Sequence, residues 1–532
     1  MIALEPPQHI GRRSLLKSAG GLIFSHHLGG CLVGPPADTV GVNLHDVVGD
    51  GITDAAMAIN KLIDEISVKG GGTIYFPPGI YPCRFTIHLK DGVHLRLDPG
   101  AMIKAVPSGT YDEAEPNDYY RYQDFGHSHW RNSLICGIGV RDVSISGPGQ
   151  ISGMGLSRQE WRMADGTASA LKPGTADKII ALKDCRNVIL EDFSLDGTGH
   201  VAILATGVDN LKIRRLVIDT ARDGINLDSC WEAEVEDCLV NAPFDDGICI
   251  KASFALGEAR GSKHVRVRRC RIFGGFEVGT FRDGRRKPLP PGQGGKGRFK
   301  LGTESNGAFE DIVFEDCAVQ DGLGLLLASV DGGKISGVHV RNFIGHDIHN
   351  APVFVWLGDR LRGPPGTSVG AIEDVTIQGL RCWGYDNTEP IILSGLPTQR
   401  IIGFALNNAY LLQMGGGLQQ ETFVIPPAMA RSYPETSLLG QRLPAQGLFA
   451  RNVDGLALNN IQFDYTITDS RPFIWLGGVK NRHISGINVP HGATSPITYE
   501  PSKIEVVSSS AGSPAPQSRA SPPTHSPQPP SE

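Results

Sequence analysis

The chain has no run of about 18 apolar residues, so no stretch of it is built to cross a membrane as a helix. It has no basic excess. Lys and Arg number 50 against 56 Asp and Glu, a net charge of −6, which argues against nucleic acid as the main partner because phosphate binding asks for a basic surface. No CxxC pair is present, which removes the commonest zinc spacing. The ten cysteines do not form a disulfide scaffold. Cys185, Cys238, Cys270 and Cys317 each close an Asp-Cys or Arg-Cys pair at what reads as one recurring place, so stacked, buried, reduced thiols are expected. Charged residues are scarce at 20%, while glycine reaches 67 residues and hydrophobics 40%, a balance suited to short strands joined by many turns.

Residues 1–38 read as signal and spacer. Arg12-Arg13-Ser14-Leu15-Leu16-Lys17, followed by Leu22, Ile23 and Phe24, is similar to a twin-arginine export signal and predicts a periplasmic or extracellular protein. Leu28-Gly29-Gly30-Cys31 resembles a short lipobox, with a lipid on Cys31 as the one membrane link it would provide. Residues 503–532 are rich in Ser and Pro and read as a disordered tail. Residues 39–502 between them read as the catalytic domain. It opens with a helical pattern through Ile59, Leu62, Ile63 and Ile66, with Thr53 or Asp54 as N-cap and Gly70-Gly71-Gly72 as stop. A helix there can cover the open end of a solenoid.

After it a repeat sets in. Val188-Ile189-Leu190, Leu211-Lys212-Ile213, Ala233-Glu234-Val235, Val265-Arg266-Val267, Ile312-Val313-Phe314, Val338-His339-Val340, Val375-Thr376-Ile377 and Leu456-Ala457-Leu458 recur, the first three at steps of 23 and 22 residues. Several short strands in a period of about twenty residues fit one coil of a parallel β-helix, whereas a sandwich or barrel would show hairpin turns roughly every 8–12 residues. The expected fold is all-β: a right-handed, single-stranded parallel β-helix with an N-terminal capping helix.

Asp223-Gly224-Ile225-Asn226-Leu227-Asp228 is followed, one coil later, by Asp245-Asp246-Gly247-Ile248-Cys249-Ile250-Lys251. Coils stack at about 4.8 Å, so Asp223 should lie beside Asp245 and Asp246. Crowded carboxylates repel, which raises at least one pKa and leaves its neighbours as bases. Glycosidic hydrolysis uses that pair of roles. Asp228 and Asp237 read as turn residues.

These motifs resemble glycoside hydrolase family 28, the polygalacturonases and rhamnogalacturonidases of the pectate-lyase-like β-helix superfamily. Gly147-Pro148-Gly149-Gln150-Ile151-Ser152-Gly153-Met154-Gly155 and the segment from Gly49 to Tyr81 extend the similarity over roughly residues 40–480. The resemblance implies an inverting hydrolase that needs no cofactor or metal. In it Asp245 is the general acid and Asp223 and Asp246 activate water, with acid and base about 6.5–9.5 Å apart. The family's Asn-Thr before the first Asp is Ala221-Arg222 here. Its Gly-His-Gly aligns with Gly295-Lys296-Gly297, and its Arg-Ile-Lys with Leu326-Leu327-Ala328, unless Arg298-Phe299-Lys300 takes that part. Lys251, Lys296, Arg298, Lys300, Glu304 and His200 are the substrate-binding candidates, with Asp331 beside the cleft.

The insert from Phe276 to Gly295 carries Arg282, Arg285, Arg286 and Lys287, which can attract an anionic polymer or close one end of a groove. Gly302-Thr303-Glu304-Ser305-Asn306-Gly307 is similar to bacterial rhamnogalacturonidases, which points to exo-action on rhamnogalacturonan or polygalacturonan fragments by a monomer. Two other functions stay open: a lyase or epimerase on the same fold, using Arg298 or Lys300 as base, and a non-catalytic polysaccharide-binding β-helix.

Overall fold

The computed structural model describes residues 39–500 apart from 42–46, 108, 124–125, 158–160, 163–167, 170–173, 198, 385–387, 441 and 491–495. The twin-arginine motif, Cys31 and the Ser/Pro-rich tail lie outside the described residues.

The repeat folds as the strand periodicity predicts. One coil runs through Val201–Thr206, Asp209–Arg214 and Val217–Thr220, and the next begins at Asp223–Asp228. Coil pairs with coil in parallel, so Val188 lies on Leu211 and Leu211 on Ala233. The ladder continues from Val265 to Ile312, Val338 and Val375. It then passes to Phe404, on a strand absent from the predicted series, and on to Leu456. The winding is right-handed and the strands form two long sheets, one of 22 strands and one of 13. The first takes two strands from most of the early coils; the second takes one and bears the site.

The alternation of the strands fills the core. Ile203, Ala205, Leu211, Ile213, Ile218, Ile225 and Leu227 point inward and are fully buried, which is what makes each coil depend on its neighbours. The helix Ala56–Val68 packs Ile59, Leu62, Ile63 and Ile66 against the first coils. Its N-cap is Ala55, not Thr53 or Asp54. Thr53 is instead taken up by a turn around Asp50, and Asp54 accepts from Arg84 N–H at 2.7 Å. The glycine stop holds: Gly70 and Gly71 take positive φ and donate to Ser67 and Ile66 carbonyls.

The nine cysteines among the described residues are free and buried. They do not share one column. The register puts Cys238, Cys270 and Cys317 in one turn column, since Leu239, Arg271 and Ala318 are in line. Cys185 precedes a different strand, Arg186–Glu191, and falls in the column that holds Val208 and Cys230. Asp-Cys and Arg-Cys pairs end two different strands of the coil, which the local pattern alone did not separate.

Candidate active site

Neighbouring coils of the 13-stranded sheet carry the acids. Asp223 opens the strand Asp223–Asp228, and Asp245 and Asp246 stand in the turn before Ile248–Ala252. Ile225 pairs with Ile248, and Gly224 N–H donates to the Asp246 carbonyl at 3.0 Å, so Asp223 lies beside Asp246. One carboxylate oxygen from each of the three falls within 4.8 Å of the others. That figure is the closest approach of single oxygens at the same edge of adjacent strands, so it does not by itself carry the inverting outcome.

The environments split the three. Asp223 and Asp246 are each 3% exposed, while the Asp245 side chain is 28% exposed. Burial would raise Asp223, but His127 and Lys251 outweigh it and hold the carboxyl well below the usual range. Asp246 is likewise held down against burial by Arg298 and Lys300, whose Nε and Nζ donate to its two oxygens at 2.6 and 2.7 Å. Asp245 goes the other way. Burial and the charges of Asp223 and Asp246 push it up to about 7, against Arg222 and Lys300. One proton-holding carboxyl beside two ionised ones is the division that acid–base chemistry needs.

The predicted residues fall into three groups. Arg298 and Lys300 are buried and committed to Asp246. Arg298 immediately precedes and Lys300 stands on Phe299–Ser305, the strand next to the Asp246 coil, and Lys300 lies on Leu326 of the strand after that. Leu326 and Ala328 are buried in a satellite apolar cluster, so no cation is presented where the family's Arg-Ile-Lys aligns. Lys251 and Glu304 are 1% and 0% exposed and pair with each other at 3.2 Å, beneath the acids instead of lining a groove. His200 is buried, and burial and His127 hold its pKa well below the usual value, so it is neutral. Lys296 is exposed, its backbone N–H bonded to the Pro243 carbonyl. Asp331 is fully buried and paired with Arg360.

Four contributors were not singled out from the sequence. His127 enters from the segment before Ser133–Ile138 and is buried, with Nε2 3.4 Å from Asp223 Oδ2. Its Nδ1 lies 2.9 Å from Lys251 Nζ and 3.4 Å from Glu304 Oε1, so the ring bridges Asp223 to the Lys251–Glu304 pair. Asn226 Nδ2 donates to Asp223 Oδ2 at 2.8 Å. Tyr433 OH accepts from Lys300 Nζ at 2.7 Å. Arg222 donates from Nε and Nη2 to Asp245 Oδ2 at 3.0 and 2.8 Å. Of these only Arg222 carried a signal, as a departure from the family's Asn-Thr next to Asp223.

Three segments wall the site. On the N-terminal side Trp130 buries itself on Ala181, Val201, Leu204 and Ala255 and donates to Thr206 Oγ1 at 3.0 Å. On the C-terminal side Leu439, Leu443 and Ala445 cover Leu326, Ala328 and Trp356, and the same segment brings in Tyr433. The insert after Phe276 is tied down by Asp219, whose Oδ2 accepts from Gly279, Phe281 and Arg282 backbone N–H groups. Its basic residues are largely neutralised, by Arg285–Asp283 at 2.6 Å, Lys287–Glu277 at 2.8 Å and Arg282–Asp196 at 3.2 Å, so it acts as a wall more than as an attracting patch.

The three acids are also the group, among the described residues, close enough to share a cation. Arg222, Arg298 and Lys300 already supply positive charge to Asp245 Oδ2 and to both oxygens of Asp246. Those ion pairs leave little of the donor set for a metal ion.

A parallel β-helix with an aspartate cluster on one sheet resembles the pectate-lyase-like β-helix proteins, and the comparisons agree on that fold. Residues 40–248 match the family model described as "Rhamnogalacturonase A/epimerase, pectate lyase-like". The grapevine (Vitis vinifera) protein named "Probable polygalacturonase" is 24% identical over 320 residues, 55% of this chain and 58% of that one. The chain therefore spans less than two thirds of that relative. Two solved structures share the fold at 17% identity. The exopolygalacturonase of Thermotoga maritima has a TM-score of 0.56, with 81% of this chain and 93% of that one covered. The family 28 exopolygalacturonase of Yersinia enterocolitica has a TM-score of 0.58, with 86% and 79% covered. The resemblance to family 28 is borne out: the chain is a polygalacturonase-like parallel β-helix.

Proposed function

We propose that this chain is an exported glycoside hydrolase that cleaves acidic, pectin-type polysaccharide from chain ends, acting on polygalacturonan or rhamnogalacturonan oligosaccharides. The observation that carries this reading is the split within the aspartate cluster: Asp245, outermost and raised to about 7, beside two buried carboxylates held ionised. Asp245 donates its proton to the leaving oxygen. Asp223 takes the proton of the attacking water. Its contacts among the described residues fall on Oδ2, which leaves Oδ1 to accept. Asp246, fixed through both oxygens, orients the same water. The segments packed on either side of the site favour exo-action, since they narrow the room for a long polymer along the sheet. Export by the Arg12-Arg13 signal and service as a monomer complete the proposal.

A lyase or epimerase would need a free base. Arg298 and Lys300 are buried and bound to Asp246, which weighs against them in that role. The test is the early product profile from a long oligogalacturonide and from rhamnogalacturonan oligosaccharides. Release of one small sugar unit from the start supports exo-hydrolysis; a ladder of intermediate lengths refutes it. Proton NMR of the first product decides the anomeric outcome, which the family resemblance implies is inverted.

A further inference from the structure

We infer that Arg222 reads a carboxylate of the substrate, a uronate next to the scissile bond, by exchanging its ion pair with Asp245 for one with the sugar. The inference rests on the hydrolase reading above and names the group that would make it specific for acidic sugars.

An acidic substrate needs a cation that can reach it. Arg298 and Lys300 are 6% and 3% exposed and hold Asp246. Lys251 is buried against Glu304. Arg222, by contrast, is 32% exposed at the mouth of the site and stands beside the outermost acid. Two of its guanidinium nitrogens converge on the single oxygen Asp245 Oδ2. That pair lies near the surface, where ion pairs are weak, and a planar guanidinium can take a second carboxylate through two parallel hydrogen bonds. A uronate arriving at Asp245 therefore meets a donor fork already held beside the acid.

The exchange has a consequence for the chemistry. Asp245 faces Arg222 and Lys300 on the positive side and Asp223 and Asp246 on the negative side, while the adjoining His200 stays neutral. Arg222 on Asp245 favours the carboxylate form. Once Arg222 moves to the substrate, burial and the charges of Asp223 and Asp246 act on Asp245 with less opposition, and it holds its proton more firmly. An anionic sugar thus strengthens the acid's hold on the proton that it will donate, and a neutral sugar leaves Asp245 paired with Arg222.

The experiment is calorimetric binding of galacturonate to the full chain, wild type, Asp245→Asn and Asp245→Asn/Arg222→Gln, with glucose as the neutral control. Asp245→Asn removes the competing carboxylate, so galacturonate should bind about tenfold more tightly than to wild type, the low end for a hydrogen bond to a charged group. Adding Arg222→Gln should abolish that gain, and glucose should respond to neither change. Equal galacturonate binding by the single and double variants, or no binding by either, overturns the inference. Reducing-end release by the wild type, measured alongside, tells failure of this inference from failure of the hydrolase reading, because hydrolysis can persist without Arg222 as the reader.

Discussion

Replacing either of the adjacent aspartates by asparagine should move stability in opposite directions. Asp246 is 3% exposed, and its two oxygens hold Arg298 and Lys300. Asp246→Asn keeps the shape but leaves two buried cations without their anion, a loss of about 3–5 kcal/mol for a broken buried pair. Asp245 is the repelled member. Its folded pKa of about 7 lies above the unfolded value near 3.8. The contribution of a group raised on folding is fully present below the unfolded pKa and is lost as pH rises through the folded one. The cost of ionised Asp245 therefore grows between roughly pH 4 and 8, with a ceiling of about 4 kcal/mol at 1.36 kcal/mol per unit. Its partial exposure and the loss of the Arg222 pair cut this to about 1–2 kcal/mol. Guanidinium denaturation at pH 5 and pH 8 reads both effects as midpoints, the safer quantity for a solenoid whose coils need not unfold together. Asp246→Asn should lower the midpoint at both pH values, and Asp245→Asn should raise it at pH 8 and change it little at pH 5. A destabilised Asp245→Asn at pH 8, or an unaffected Asp246→Asn, would refute the electrostatic account.

Two further predictions concern activity. The kcat/KM profile should fall on the alkaline side near pH 7, where Asp245 loses its proton, and stay flat down to about pH 4, because Asp223 and Asp246 remain ionised; a limb near pH 9 would remove Asp245 as the acid. His127→Ala should lower kcat about 10- to 100-fold with little change in KM, a modest share of acid–base positioning, and should move the acid limb upward, since Asp223 loses a group that holds it ionised; an unchanged acid limb would make His127 purely structural.

The parallel β-helix and its aspartates were legible because both follow from the coil period. Strands at a step of 22 or 23 residues must stack, and acids one period apart must meet. What lay outside that period was not legible. His127 reaches Asp223 across nearly a hundred residues, and Tyr433 reaches Lys300 across 133, each from a segment that belongs to no coil. Lys251 and Glu304 looked like surface candidates because a strand pattern shows which face a side chain takes, but not that another segment covers that face. Arg298 and Lys300 share a face as alternation requires; that they spend it on Asp246 depends on the neighbouring coil.

The most direct test of the central claim is to incubate the purified protein with polygalacturonan and rhamnogalacturonan oligosaccharides in EDTA, following reducing ends and unsaturated-uronide absorbance together for wild type and Asp245→Asn. New reducing ends without absorbance, lost in Asp245→Asn, are the predicted result. Absorbance rising with the reducing ends, or undiminished hydrolysis by Asp245→Asn, would contradict it.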